Sequence, residues 1–397
     1  MAVTAVTYTG TVASQNLGTV NVGSSGSVSL SFSVSGTIGS VEVVTQGAPN
    51  LDFTNGGGTC SDGTTSACTV DVTFKPIYAG LRRGAVLFWS GAGNSGTIIG
   101  KTFIYGVGNG GQVVYLPPII SAVATPSNVS PNSLNSPTAV ALDGTGNLCV
   151  VDGSNHRLVK IPISGSASAI DPSATNPPGY TFATSPETLY YPNKAVVDGA
   201  GDLLIADTDN ARLVEVPVGG GAAFDIDAVV GGTALEYPYT LDVDGLGNLY
   251  VVDAEQYRVI KITNITSTGD GTGSLVSLGS YSLLFGVDVW LDAAGDLFIS
   301  DVGFDFNTST TYIPTDPKIL EVHANGSVTS VTAPGSGCAV EGPWSAEGDA
   351  AGNLFIGDEV PDSNGDGYFS GRVVEYPAGG GNCTITTSLL SEVLGGG

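Results

Sequence analysis

The sequence predicts an all-β chain in which a β-sandwich precedes a β-propeller, and three observations lead there. A ten-residue phrase, Asp143-Gly-Thr-Gly-Asn-Leu-Cys-Val-Val-Asp152, returns at 198–207, 244–253, 292–301 and 349–358 with its internal spacing unchanged. A repeat period of about 45–57 residues marks a solenoid or a propeller. Residues 1–110 lack the phrase and instead alternate apolar and polar side chains, as in Ser27-Val-Ser-Leu-Ser-Phe-Ser-Val34, the mark of a strand with one buried face.

Each copy of the phrase reads as strand, tight turn, strand. An apolar run such as 139–142 leads into the first Asp, and a second apolar run opens on Leu. The turn residues are Asp143 with Gly146, Asp198 with Gly201, Asp244 with Gly247, Asp292 with Gly295, and Asp349 with Gly352. Glycine tolerates positive φ there, and the carboxylate accepts hydrogen bonds from turn amides. A third strand follows at 157–162, 212–217 and 258–262, and a looser segment completes each unit. Four antiparallel strands per unit at this period form a propeller blade. Val113-Val-Tyr-Leu-Pro117 echoes Val373-Val-Glu-Tyr-Pro377, so the propeller opens on the outer half of a blade. Five blade repeats are clear, and the ring is five- or six-bladed.

These residues resemble the NHL repeat, whose pattern is a strand, an Asp-x-x-Gly-Asn turn, a strand ending in Asp, then Asn-x-Arg and a third strand. Asn155-His156-Arg157 and Asn210-Ala211-Arg212 follow it best, Gln256-Tyr257-Arg258 follows it more weakly, and Lys318 and Arg372 take the basic place in the last two units. The resemblance spans roughly residues 112–397 and implies the propeller. It implies no reaction, because the family includes lyases, sensors, RNA binders and scaffolds.

In the first 110 residues, Thr69-Val-Asp-Val-Thr-Phe74 alternates as clearly, and further strands are expected at 17–22, 40–45, 84–90 and 97–107. About seven short strands with Gly-rich turns predict an immunoglobulin-like β-sandwich. Leu17-Gly-Thr-Val-Asn-Val-Gly23, Cys68-Thr-Val-Asp-Val-Thr-Phe-Lys-Pro76 and Ala79-Gly-Leu-Arg82 resemble the bacterial "choice-of-anchor D" type of Ig-like domain, which implies export and a surface location. The expected domains are therefore 1–110, a sandwich, and 111–397, an NHL-type propeller.

Composition narrows the function. Twelve basic residues against 37 acidic ones leave a formal charge of −25 in 397 residues. That excludes a nucleic-acid binder, which needs Lys and Arg to meet phosphates, and disfavours an anionic membrane surface. The same charge keeps a protein soluble and attracts divalent cations. No apolar run approaches the length of about 18 residues that a spanning helix needs. Met1-Ala-Val-Thr-Ala reads straight into strand-like sequence without a leader, as expected of a mature exported form. Of five cysteines, Cys60 and Cys68 bracket a Gly/Ser/Thr loop, Cys338 and Cys383 bracket the fifth unit, and Cys149 is left over in a core strand. Two disulfides are expected, and with them an oxidising, extracellular or cell-surface compartment.

Candidate sites are few. The second Asp of each phrase (152, 207, 253, 301, 358) and the basic residue after it are expected to pair and fix the blade turn, a site repeated in every blade being structural. Asp362, Asn364 and Asp366, before Gly367, begin like a calcium loop, although Val373 stands where the closing acid belongs and Asp358, Glu359 or Glu375 would have to replace it. Calcium is the one cofactor this pattern offers. His156 and His323 are the only histidines, too few for the histidine sets of propeller lyases. Tyr180, Tyr190, Tyr191, Tyr237, Tyr239 and Trp344 lie before or between the phrases, where binding loops belong.

The sequence thus predicts a non-enzymatic secreted protein of bacterial type without a catalytic residue set. Its first expectation is a self-assembling subunit of an extracellular fibre or surface layer, joined by strand exchange through Val3-Thr-Ala-Val-Thr-Tyr8 and the half-blade at 113–124, with itself as partner. Its alternative is a monomeric propeller that binds surface glycans or peptides, and its second alternative is a propeller lyase or lactonase.

Overall fold

A computed structural model describes residues 5–10, 14–77, 80–109, 133–142, 147–161, 168–170, 180–182, 189–217, 221–226, 233–265, 271–303, 316–331, 333–334, 337–349, 353–361, 369–377 and 382–386. The fold is all-β, with short 3-10 turns, and its sheets are small.

The N-terminal strands are β1 (Ala5–Tyr8), β2 (Ser14–Asn21), β3 (Gly26–Ser35), β4 (Ser40–Thr45), β5 (Ala48–Pro49), β6 (Phe53–Gly58), β7 (Cys68–Phe74), β8 (Gly80–Gly91) and β9 (Ser95–Asn109). They form two sheets, ordered β1-β3-β7-β6 and β2-β9-β8-β4-β5. Alternation puts Leu30 and Phe32 of β3, and Val70, Val72 and Phe74 of β7, into one core with Val43, Val86, Phe88 and Ile104 of the facing sheet. Phe32 meets Phe88 edge-on and Phe53 stacks on Phe74, each at 4.7 Å between ring centroids. Full burial of each such side chain contributes about 1.5–3 kcal/mol.

One expectation is corrected here. The N-terminal strand has a partner in its own chain: β1 runs antiparallel to β3, with Ala5 opposite Ser35 and Tyr8 opposite Phe32, and Val6 lies in the core. The strand-exchange argument loses that free strand, and its other half, 113–124, lies outside the described residues. The strand Phe53–Gly58 had no sequence signal either, because its Gly run is a poor strand former. A bulge between Asn55 and Gly57 accommodates that run.

Five sheets follow as propeller blades, each given from its inner to its outer strand. Blade 1 is Pro137–Leu142, Leu148–Asp152, Arg157–Ile161 and Ser168–Ile170. Blade 2 is Pro192–Val197, Leu203–Asp207, Arg212–Val216 and Gly221–Ile226, with Tyr180–Phe182 added in parallel at its outer edge. Blade 3 is Pro238–Val243, Leu249–Asp253, Arg258–Thr263 and Thr272–Leu275. Blade 4 is Gly286–Leu291, Leu297–Asp301, Lys318–Val322 and Val328–Ser330, and blade 5 is Pro343–Gly348, Leu354–Pro361, Phe369–Tyr376 and Thr384–Thr386. In every blade the register shifts just after the first residue of the inner strand. That bulge explains why Pro137, Pro192, Pro238 and Pro343 are tolerated there, since no ladder donor is lost.

Apolar layers between successive blades hold the array together, as where Leu241 and Val243 pack on Leu204 and Ala206. The inner-strand residues facing the preceding blade are Ala195 at 1%, Leu241 at 0%, Val289 at 2% and Ala346 at 2% exposure, but their counterpart in blade 1, Val140, is 63% exposed. Val373 on the opposite flank is 37% exposed, against 0% for its blade 2 counterpart Leu213. Among the described residues the ring is therefore open between blades 5 and 1.

The N-terminal sheets sit on the end of the propeller that carries the Asp-Gly turns. Gly47 N–H donates to the Gly245 carbonyl at 3.2 Å, and Leu246 packs with Val44, Leu87 and Phe103.

Candidate functional site

The repeated phrase supplies the frame of the site. At its first Asp, the carboxylate accepts the amides of the turn: Asp198 from Ala200 and Asp202 at 2.9 Å, Asp244 from Leu246 at 2.8 Å and Asn248 at 3.0 Å, Asp292 from Ala294 and Asp296 at 2.8 Å. Gly201, Gly247 and Gly295 take φ of 93°, 80° and 81°. Asp349 accepts Asn353 N–H at 2.9 Å, while Asp143, Gly146 and Gly352 lie outside the described residues.

The second Asp of each phrase is fully or almost fully buried and works in two directions. One oxygen pairs with the base directly opposite in the ladder: Arg157 on Asp152 and Arg212 on Asp207 at 2.7 Å, Arg258 on Asp253 at 2.8 Å, Lys318 on Asp301 at 3.0 Å, Arg372 on Asp358 at 2.7 Å. The other accepts amides of the loop entering the inner strand, such as Asn135 at 2.6 Å, Tyr190 at 2.7 Å, Tyr237 at 2.7 Å, Phe285 at 2.9 Å and Gly342 at 2.8 Å. These pairs therefore lie inside the blades, holding the loops of one end in place. They do not form a charged ring lining the channel.

Ionic contacts between inner strands and with β8 occupy the channel, and none was singled out from the sequence. Arg83, from β8, reaches Asp242 on the inner strand of blade 3 at 3.2 Å, and Asp242 also accepts Leu291 N–H of blade 4 at 2.8 Å. Deeper in, Lys194 of blade 2 contacts Asp288 of blade 4 at 3.1 Å, and Thr240 of blade 3 donates to the same carboxylate at 3.0 Å. Burial opposes the Lys194 charge, but Asp288 and Glu347 more than restore it, so its pKa stands above the ordinary lysine value. Burial likewise opposes the Asp288 charge and holds its pKa above the ordinary carboxylate value, although the ammonium, the Thr240 hydroxyl and the Ala346 amide favour its ionised form. The signal was a charge inside an otherwise apolar inner strand.

Among the described residues, the end away from the N-terminal sheets is tyrosine-rich. A recess of about 340 Å³ lies there, lined by Ser154, Tyr191, Asn193, Asp209, Tyr237 and Tyr239 among others. Tyr190 and Tyr191 are 47% and 43% exposed. His156 fixes them: its Nδ1 accepts the Tyr191 amide at 3.1 Å, and its ring stacks on Tyr190 at 4.6 Å. Tyr237 stacks over Tyr239 at 6.1 Å, and Tyr239 meets Phe285 edge-on at 5.6 Å. Asn193 Nδ2 donates to the Tyr239 carbonyl at 3.1 Å. Trp344 is half-buried and bonds Glu359 through its ring N–H. The Tyr180 side chain lies outside the described residues, as do Asp362, Asn364 and Asp366 of the calcium-loop pattern.

The disulfides are Cys60–Cys68 and Cys338–Cys383, and Cys149 is a buried thiol. They are consistent with an extracellular location. No helix among the described residues is long and apolar enough to cross a membrane.

The NHL repeat family model matches residues 134–161. Among solved structures, the chain is similar to a virginiamycin B lyase from Staphylococcus aureus, with 11% identity, a TM-score of 0.44 and coverage of 80% of this chain and 81% of that one. It is similar to a streptogramin B lyase, at 12% identity and a TM-score of 0.43, covering 65% of this chain and 70% of that one. A putative 6-phosphogluconolactonase from Bacteroides uniformis gives 12% identity and a TM-score of 0.42, with coverage of 65% and 72%. No curated protein matches the chain.

Proposed function

We propose that this protein is a non-enzymatic, secreted binding module: an immunoglobulin-like domain of residues 1–110 closes one end of an NHL-type propeller of residues 111–397, and the other end takes a glycan. The observation that carries this reading is the recess lined by Tyr191, Tyr237 and Tyr239 with Asn193, Asp209 and Ser154 beside them. Rigid aromatic faces next to amide, carboxylate and hydroxyl groups suit a sugar, which has apolar C–H faces and a rim of hydroxyls. The rings are already ordered by His156, Phe285 and each other, so little side-chain entropy remains to be lost on binding. A glycan array probed with the full chain tests it: retention of one related group of glycans is expected, and a blank array would overturn it.

A propeller enzyme is a second reading, favoured by a different cavity. Asp198 and Glu215 border a space of about 460 Å³ between blade 2 and the N-terminal sheets, beside Glu42 and Trp89. Burial pushes the Glu215 carboxyl up to about 7 and that of Asp198 up to about 6, values at which a carboxyl can act as a general acid or base near neutrality. Turnover of a lactone that disappears in Glu215→Gln would support this reading; no turnover by wild type would remove it.

A further inference from the structure

We infer that blade 4 carries a divalent transition-metal site, of the zinc class, made of Asp296, Glu321 and His323. Their ligand atoms lie within 4.8 Å of one another. His323 Nδ1 stands 3.2 Å from Asp296 Oδ2 and 3.4 Å from Glu321 Oε1, so one ion can meet an imidazole nitrogen and two carboxylate oxygens. A nitrogen with two oxygens suits zinc, cobalt or manganese better than calcium or magnesium, which take oxygen alone.

The remaining atoms of Asp296 and His323 are already oriented as ligands require. Asp296 Oδ1 accepts the Ala324 amide at 2.7 Å, which leaves Oδ2 turned to the imidazole. His323 Nε2 lies 3.3 Å from the Thr329 hydroxyl, so the ring can donate there while Nδ1 keeps its lone pair. Metal-bound histidines ordinarily have such a partner on their second nitrogen. The backbone beneath is fixed by a tight turn, with His323 N–H on the Ser327 carbonyl at 2.8 Å and Gly326 N–H on the His323 carbonyl at 2.7 Å.

The repeat itself provides the control. The three places held by Asp296, Glu321 and His323 carry Asn248, Lys261 and Thr263 in blade 3, and Asn353, Glu375 and Pro377 in blade 5. In blade 2 they carry Asp202, Glu215 and Pro217, two acids without the imidazole. Among these four blades, only blade 4 joins both acids to an imidazole, and the three side chains converge on one point.

Of the three ligands, His323 also lines a cavity of about 210 Å³, together with Lys101, Phe103 and Lys261. The two lysines do not neutralise the ligands. Lys261 is ion-paired to Asp244 at 3.5 Å, and Lys101 lies over the Phe103 ring at 5.2 Å.

The test is calorimetric titration of zinc into the full, chelator-treated chain, in physiological saline with millimolar calcium to occupy weak carboxylate clusters. Saturable binding at a single site is expected, with affinity at least about tenfold weaker in His323→Gln. Glu215→Gln and His156→Gln should bind as wild type does. Absence of saturable binding, or equal affinity in His323→Gln, would overturn the site. Should His323→Gln fail to fold, cobalt loading of wild type decides in its place. Paramagnetic displacement of the His323 ring signals supports the site, and displacement of His156 instead, or of neither, overturns it.

Discussion

Arg83 of the N-terminal sheets lies 3.2 Å from Asp242 in the channel of the propeller, with both side chains largely out of solvent. The contact ties the two halves of the chain through the axis of the ring. Asp242 holds Leu291 N–H at the same time, so blades 3 and 4 and β8 share one carboxylate. Removing one member of a buried ion pair costs about 3–5 kcal/mol, because the other is left unpaired. Arg83→Ala should therefore let the N-terminal sheets unfold ahead of the propeller, splitting one urea transition into two. A single transition with an unchanged midpoint would contradict this.

Gly245 is a second point of the same junction. A Cβ placed on it would lie 2.5 Å from the Gly84 carbonyl oxygen, a backbone atom that cannot step aside without moving β8. Gly245→Ala should loosen the junction and raise the protease sensitivity of the full chain, leaving the blade itself folded. An unchanged digestion pattern would show that the sheets do not meet there.

The Asp–base pairs should be separable from the junction. Asp253→Asn keeps an acceptor for the Tyr237 amide but withdraws the charge facing Arg258. The expected loss is about 3 kcal/mol in the propeller transition. A loss below about 0.5 kcal/mol would place the pair among surface salt bridges of little consequence.

The sequence disclosed these pairs because it repeats them, whereas features that occur once left no comparable signal. Asp152 and Arg157 recur as Asp207 and Arg212 and again as Asp253 and Arg258, at the spacing that places them opposite each other in a ladder. Arg83, Lys194 and Asp288 meet across distant stretches of chain and carry no local pattern. Gly199 and Gly245 follow the first Asp of their phrases and were not singled out, and what requires them is the approach of the Thr45 and Gly84 backbones. The tyrosines of the mouth were visible as residues placed between phrases. Their arrangement around His156 needed the left-handed turn at that residue, with φ of 57°.

Stability should depend on pH through Glu215 and Asp198. Burial raises the folded Glu215 pKa from 4.5 to about 7 and that of Asp198 from 3.8 to about 6, so the native state binds more protons than the unfolded state between those values. Stability from this source is complete below about pH 4 and is lost as pH rises through about 7. Glu215→Gln should melt above wild type at pH 8 and with it at pH 4. Parallel melting curves at all pH values would contradict the assignment.

The most direct test of the binding module is the affinity of the full chain for the best glycan from the array, with Tyr191→Ala and Tyr237→Ala combined. Tyr191 is 43% exposed and Tyr237 is half-buried, so the variant is expected to fold, as its far-ultraviolet spectrum will report. Loss of two aromatic platforms should weaken binding by at least about tenfold, or 1.4 kcal/mol. An affinity equal to wild type would place the glycan elsewhere and contradict the account.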